Sequence, residues 1–116
     1  MRMLDFSADR ATTITQFASI GASSVHLGDG EGHAHIYCVR FEAGGAIGPH
    51  PTGFGQLFLI VDGAGWVSGP DGVRVAVSAG HAAYFPRGEL HAKGSETGMT
   101  AIMIQVDTLR PAPAVE

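Results

Sequence analysis

The chain has little of what disulfide-linked, nucleic-acid-binding or membrane-spanning proteins need. Cys38 is the only cysteine, so no disulfide can form within the chain, which favours a reducing compartment. Lysine and arginine together number 7 among 116 residues and form no basic run, so the charge pattern typical of a nucleic-acid-binding protein is missing. The longest apolar run, residues 57–61, is far shorter than the roughly 20 residues that span a membrane.

The amino-terminal residues are also unlike a secretory signal. An acid stands at Asp5, and no apolar segment follows it. The formal net charge is −4, which offers no attraction to phosphate groups. We therefore expect a cytoplasmic protein with no membrane partner and no nucleic-acid partner.

Glycine, in contrast, is abundant. There are 17 glycines and 6 prolines, and many of them separate short runs of β-forming residues, which is the pattern of an all-β barrel or sandwich. The length fits one domain over residues 1–116. Within it we expect a core at about 33–108, a short amino-terminal arm, and a carboxy-terminal tail over residues 110–116 that is extended or disordered.

Apolar alternation predicts the strands. We place them at residues 12–17 (with a short helix as the alternative), 23–27, 33–42, 56–61, 66–68, 73–77, 82–85 and 99–107. A flexible turn is predicted at 28–32, a tight hairpin turn at 62–65 and a further turn at 69–72. On strand 33–42, Cys38 faces away from Tyr37 and is predicted to be a small core residue.

The most specific pattern lies in residues 80–91, which read G-x5-P-x-G-x2-H. The four named positions are Gly80, Pro86, Gly88 and His91. This spacing resembles the second signature motif of the cupin family, in which the histidine usually binds a metal. The asparagine often found four residues beyond that histidine is replaced by Ser95.

The upstream residues resemble the first cupin motif, G-x5-H-x-H, followed by a glutamate and, six residues later, a glycine. Gly44, His50 and Gly63 match it. Thr52 stands where the family has its second histidine, and Gln56 stands where it has the glutamate. Two of the four usual metal-ligand positions have therefore changed chemistry.

The resemblance covers roughly residues 40–107 and implies an all-β fold, the double-stranded β-helix or jelly-roll barrel. It also implies a divalent metal ion (Zn, Fe, Mn or Ni) held by His50, Gln56 and His91. Small cupins often form homodimers, so the resemblance further implies a homodimer. The alternative for the two histidines is a hydrogen-bonded pair in a metal-free barrel.

Other side chains are candidates for the pocket. The expected lining consists of His35, Thr52, Phe58, Ile60 and Met103, although a packed or surface position for His35 and ordinary core packing for the apolar residues are the alternatives. Glu89 and Tyr37 are candidate proton-transfer groups, and the alternative for Glu89 is a solvated acid in a turn.

Two function classes follow, and both use a small-molecule ligand. One is a metal-dependent oxygenase or isomerase, which His50 and His91 favour. The other is a metal-free, non-catalytic binding or sensor protein, which Thr52 and Gln56 favour. Whether the chain is an enzyme stays open, because the cupin fold hosts many unrelated chemistries.

Overall fold

A computed structural model describes residues 1–113. Within them the chain forms strands and one short 3₁₀ turn, Ala8–Arg10. The strands are β1 (Arg2–Asp5), β2 (Thr12–Thr13), β3 (Ser23–Ser24), β4 (Gly28–Phe41), β5 (Ala46–Pro51), β6 (Gly55–Ser68), β7 (Arg74–Ser78), β8 (His81–Phe85), β9 (Leu90–Gly94) and β10 (Met99–Pro111). The all-β prediction is confirmed. No helix in the described residues is long and apolar enough to cross a membrane.

Strand β6 organises the sheets, and every pairing is antiparallel. Its first half lies between β8 and β10, which continue outward to β1 and β4 respectively. Its second half pairs with β7 and β9, and β9 also pairs with β5. One long strand therefore belongs to both layers of the structure, and the site residues of β5 and β9 are tied to it.

The predicted hairpin turn at 62–65 is wrong, because these residues lie inside β6. Gly63 has a φ of 78°, and the register between β6 and β10 shifts at Thr100/Ala101. Such a bulge bends and twists a strand without reversing it. The two halves of β6 thus find partners in different layers instead of pairing with each other.

The predicted flexible turn at 28–32 is also wrong, because it forms the first part of β4. Because glycine has no side chain, this part of β4 can approach β10 closely: a Cβ on Gly30 would lie 2.8 Å from Cγ1 of Val106. Among the described residues β4 pairs only with β10, so its outer edge is open and Phe41 is its one buried residue. Cys38, predicted in the core, is therefore exposed.

The chain ends also differ from the predictions. Of residues 12–17, only Thr12–Thr13 is a strand. Residues 110 and 111, predicted to belong to an extended or disordered tail, are extended and pair with β4 as part of β10. Residues 114–116 of that tail lie outside the described residues.

The hydrophobic core lies between the layers and receives residues from most strands. Its buried members are Phe41, Phe58, Ile60, Val67, Val77, Ala83, Phe85, Met99 and Ala101. The rings of Phe41 and Phe58 meet edge to face, with their centroids 6.2 Å apart. Full burial of one such side chain stabilises the fold by about 1.5–3 kcal/mol. This packing supports the inner walls of the site.

Replacing Gly63 by alanine tests whether the fold needs the bend in β6. Gly63 and Gly72 have nearly equal φ angles, 78° and 72°, so alanine is strained by a similar amount at both. A Cβ at Gly72 meets open space, whereas one at Gly63 would press on the carbonyl oxygen of Gly98 and lie 3.0 Å from Cα of Met99. We expect Gly72→Ala to cost about 1 kcal/mol and Gly63→Ala roughly 3 kcal/mol. Urea unfolding measures both, and equal losses would contradict this account of the bend.

Candidate functional site

An imidazole pair forms the centre of the site. His50 on β5 and His91 on β9 are direct partners in the register of the two strands. Their Nε2 atoms lie 3.2 Å apart, and their ring centroids are 4.5 Å apart. His50 is exposed, whereas His91 is buried. The pair therefore leads from the solvent into the interior of the protein.

Hydrogen bonds define where the protons of this pair lie. Nδ1 of His50 is 2.8 Å from the carbonyl oxygen of Gly48, which can only accept, so the neutral ring carries its proton on Nδ1. Nε2 of His50 is then an acceptor, and Nε2–H of His91 donates to it. This leaves a lone pair on Nδ1 of His91, a buried atom with no hydrogen-bond partner in the described part of the chain.

His91 is held neutral. Burial lowers its pKa to about 3, and the nearby charges of Lys93 and His50 act in the same direction. Its ring also packs edge-on against Phe85, with the centroids 4.4 Å apart. At neutral pH the inner imidazole is thus a proton donor on one nitrogen and a free base on the other.

Lys93 is a candidate functional residue that the sequence motifs did not identify. It is the only lysine in the chain, and its side chain lies inside the barrel with 1% of its surface exposed. Nζ donates a hydrogen bond to Oε1 of Gln56, and it lies 4.2 Å and 4.9 Å from the ring centroids of Phe58 and Phe85. The signal was present in the sequence, because a residue two positions after His91 on a strand shares its face.

The charge on Lys93 is poorly compensated. Its only polar partner given by the structure is a neutral amide, and no carboxylate forms a salt bridge with it among residues 1–113. Burial lowers its pKa to about 7. The two nearby aromatic faces offset part of the desolvation through cation–π attraction. The amine is therefore poised between its charged and neutral forms near neutral pH.

The predicted metal ligands meet only part of what a divalent metal needs. A spacing of 3.2 Å between the two Nε2 atoms suits adjacent ligands at metal–nitrogen distances of about 2.0–2.1 Å. However, the Gln56 oxygen is already bonded to the Lys93 amine, whose positive charge would repel a cation. His91 would also have to move its proton to Nδ1, where the structure provides no acceptor.

Residues 1–113 contain no group of three or more histidine, cysteine, aspartate or glutamate side chains that could hold a metal ion. The predicted set of two histidines and Gln56 therefore offers a divalent metal no anionic ligand. The assignment of His50, Gln56 and His91 as ligands stays a prediction.

Thr52 holds the two loops of the site together. Its hydroxyl donates to the carbonyl oxygen of Pro86 (2.8 Å) and accepts from the amide of Gly88 (3.0 Å). Its backbone carbonyl accepts from Gly88, and its amide donates to the carbonyl of Glu89. The residue is buried. It therefore fixes the turn that leads into β9 and positions His91.

Glu89 and Tyr37, the two candidate proton-transfer residues, contact groups other than the imidazole pair. The Glu89 carboxylate pairs with the amino-terminal ammonium group of Met1. Tyr37 is about half exposed on β4, where its ring lies 6.4 Å from that of the exposed His35. His35 in turn contacts the ring of Phe54 at 5.3 Å. The structure thus gives each of these groups a partner other than the imidazole pair.

The predicted apolar lining divides into two groups. Phe58 and Ile60 are completely buried in the core, and Phe58 contacts the Lys93 amine. Met103 is partly buried against the core, and its sulfur lies 3.9 Å from Nε2 of Gln105. Only Phe58 among these three is placed directly beside a group of the site.

Comparison with protein families decides the classification. The model of the cupin domain matches residues 37–107, which is more than half of the chain. The chain belongs to the cupin family. The resemblance of its two motifs and the expected double-stranded β-helix fold are thereby confirmed. No curated protein matches the chain.

Solved structures share the fold at low sequence identity. A cupin-like protein from Thermotoga maritima is 19% identical, with a TM-score of 0.61 over 72% of this chain and 67% of that protein. A double-stranded β-helix protein from Klebsiella pneumoniae is 14% identical, with a TM-score of 0.60 over 75% and 81% of the two chains. A Neisseria meningitidis protein is 20% identical, with a TM-score of 0.56 over 82% and 99%. These similarities establish the cupin fold alone.

The role of Thr52 can be tested by removing its hydroxyl. Thr52→Val keeps the shape but leaves the Pro86 carbonyl without this donor, so we expect a loss of about 1–3 kcal/mol in the free energy of unfolding. Thr52→Ser should retain most of the stability. Thr12→Val, on the exposed β2, is the control. If urea unfolding shows Thr52→Val to be as stable as Thr12→Val, the hydroxyl does not hold the loops.

The pH dependence of stability tests the burial of Lys93. Its pKa is about 7 in the folded protein against an ordinary value of 10.5, so between these values the unfolded chain binds the extra proton. Stability should therefore rise with pH, by roughly 3 kcal/mol between about pH 7 and pH 9.5.

The rise should disappear in Lys93→Met and persist in Arg40→Met, which removes an exposed cation from β4. Urea unfolding at a series of pH values measures it. An equal slope in the wild type and Lys93→Met would show that Lys93 is not the titrating group.

Proposed function

We propose that this cupin is a metal-free barrel that binds a small organic anion between His50 and Lys93. The observation that carries the proposal is the Lys93 amine, which lies inside the protein beside the imidazole pair and has only a neutral amide as its polar partner. A cupin site of this composition lacks a negative charge where the family has its glutamate. The ligand would supply that charge.

Electrostatics favours an anion over a neutral molecule. A buried ammonium group without a counter-ion is unfavourable, and a carboxylate that enters the site would compensate it. The rings of Phe58 and Phe85 beside the amine provide apolar walls for the carbon skeleton of the ligand. A small carboxylate satisfies both requirements.

His50 and Lys93 form the outer and inner ends of the proposed binding site. The ligand would contact the exposed His50 first and would then bind to the buried Lys93. An anion beside the amine favours its charged form, so binding above about pH 7 should be accompanied by proton uptake. Such a protein would act as a carrier or sensor of its ligand.

A metal-dependent oxygenase or isomerase is the second candidate. The 3.2 Å separation of the two Nε2 atoms supports it, because His50 and His91 could hold one metal ion that acts as a Lewis acid. The Lys93 ammonium group, which donates a hydrogen bond to Gln56, opposes this candidate because its positive charge would repel a metal cation. We rank this candidate second for that reason.

A homodimer in the cytoplasm remains part of the proposal. The open edge of β4 supports the dimer, since it leaves backbone groups free to pair with a second chain. Ile36 and Tyr37 on the same strand are also exposed, with 69% and 48% of their surfaces accessible. Analytical ultracentrifugation tests this part separately from ligand binding.

Elemental analysis and thermal shift together distinguish the two candidates. Protein purified without an affinity tag or chelator should contain far less than one metal ion per chain. Acetate, pyruvate, lactate and benzoate should be screened, and at least one should raise the Tm of the wild type but not of His50→Ala or Lys93→Met. His33→Ala, which removes a histidine with 91% of its side chain exposed, is the control and should behave as the wild type.

Two results would contradict the proposal. One is a full equivalent of metal that is lost in both His50→Ala and His91→Ala. The other is a thermal shift with the carboxylates that persists unchanged in Lys93→Met.

A further inference from the structure

Lys93 is the only residue of the chain with a primary amine in its side chain, because the other six cationic side chains are arginine. The amino-terminal ammonium group of Met1 pairs with the carboxylate of Glu89. Arginine provides charge but does not condense with carbonyl compounds under mild conditions, whereas a lysine amine does. The position of the one lysine therefore has chemical as well as electrostatic consequences.

The surroundings of Lys93 suit an amine nucleophile. The rings of Phe58 and Phe85 lie beside Nζ, and no carboxylate pairs with it among residues 1–113. Desolvation in an apolar pocket is one way in which proteins activate a lysine amine for Schiff-base formation. Oε1 of Gln56 accepts a hydrogen bond from the Lys93 amine and so orients it.

The amine is also connected to the mouth of the site. Phe85 contacts both the His91 ring, at 4.4 Å between centroids, and the Lys93 amine, at 4.9 Å from its centroid. His91 touches His50, which is exposed. One aromatic ring thus separates the amine from the imidazole pair.

We propose that Lys93 forms a reversible imine with a small 2-oxo acid. This rests on the proposed ligand-binding function and names the chemical class of the ligand. A 2-oxo acid carries an electrophilic carbonyl directly beside its carboxylate, so an acid whose carboxylate is drawn to the Lys93 amine also brings its carbonyl carbon to that amine.

The reaction is a condensation that releases one water molecule. The nitrogen lone pair of the neutral amine attacks the carbonyl carbon, and the π electrons of the carbonyl group move to its oxygen. One of the two amine protons moves to this oxygen and gives the neutral carbinolamine. The nitrogen lone pair then forms the C=N bond, the C–O bond breaks, and the hydroxyl group leaves as water with the second amine proton. No oxidant, reductant or further reactant is consumed.

Borohydride trapping tests the proposal directly. The wild-type protein is incubated with pyruvate, reduced with sodium cyanoborohydride, and analysed as intact protein and as peptides by mass spectrometry. We expect an addition equal to pyruvic acid less one oxygen atom, at one per chain and located at Lys93. Labelling of Lys93 should be at least about tenfold faster in the folded protein than in the urea-unfolded chain, because the ligand is held beside the amine.

Controls make the result specific. Lys93→Arg keeps a cation but cannot form the imine, so the adduct should be lost. The Met1 amine is an internal reference for nonspecific labelling. The wild-type peptide map is decisive even if a variant folds poorly. An adduct on Met1 alone, no adduct, or labelling no faster than in the unfolded chain would overturn the imine.

Lactate separates this inference from the proposed function. It has the carboxylate and size of pyruvate but no carbonyl. If lactate and pyruvate both raise the Tm and no adduct forms at Lys93, the binding function stands and the imine is overturned. If no carboxylate binds and no adduct forms, both proposals fail.

Discussion

The site depends on one constraint: a buried amine must either have partners that stabilise its positive charge or lose its proton. Lys93 meets this constraint partly in each way. Two aromatic faces and one amide oxygen surround it, and burial lowers its pKa to about 7. A glutamate at position 56, as the cupin motif has it, would form an ion pair with this amine. Gln56 leaves the charge available to a ligand, so the departure from the motif and the buried lysine are consistent with each other.

The backbone places these groups by simple rules. His91 and Lys93 share a face of β9 because side chains alternate along a strand, and the register between β5 and β9 sets His50 opposite His91. Thr52 joins the two loops at positions where the family motif has a metal ligand. The bend at Gly63 lets β6 carry both layers, so that Phe58 and Phe85 form walls beside the amine.

Much of the fold could be predicted from the sequence, because glycine, proline and apolar alternation mark strands and the motif glycines mark turns. The short strands β1, β5 and β9 were missed, since four to six residues give little periodicity. The turns at 28–32 and 62–65 were predicted wrongly because glycine serves close strand packing and bulges as well as turns. For the site, the motifs identified His50 and His91. They did not show that Gln56 already has a partner, because this contact joins β6 to β9 and depends on the register between distant strands.

The protonation of Lys93 tests this account most directly. As the only lysine, it gives a single side-chain signal when the protein is labelled with ¹³C- and ¹⁵N-lysine, and that signal can be followed by NMR as the pH is changed. The account predicts a titration with a midpoint near 7. A midpoint near the ordinary value of 10.5 would show that the amine is in contact with water, and it would contradict the buried-amine site.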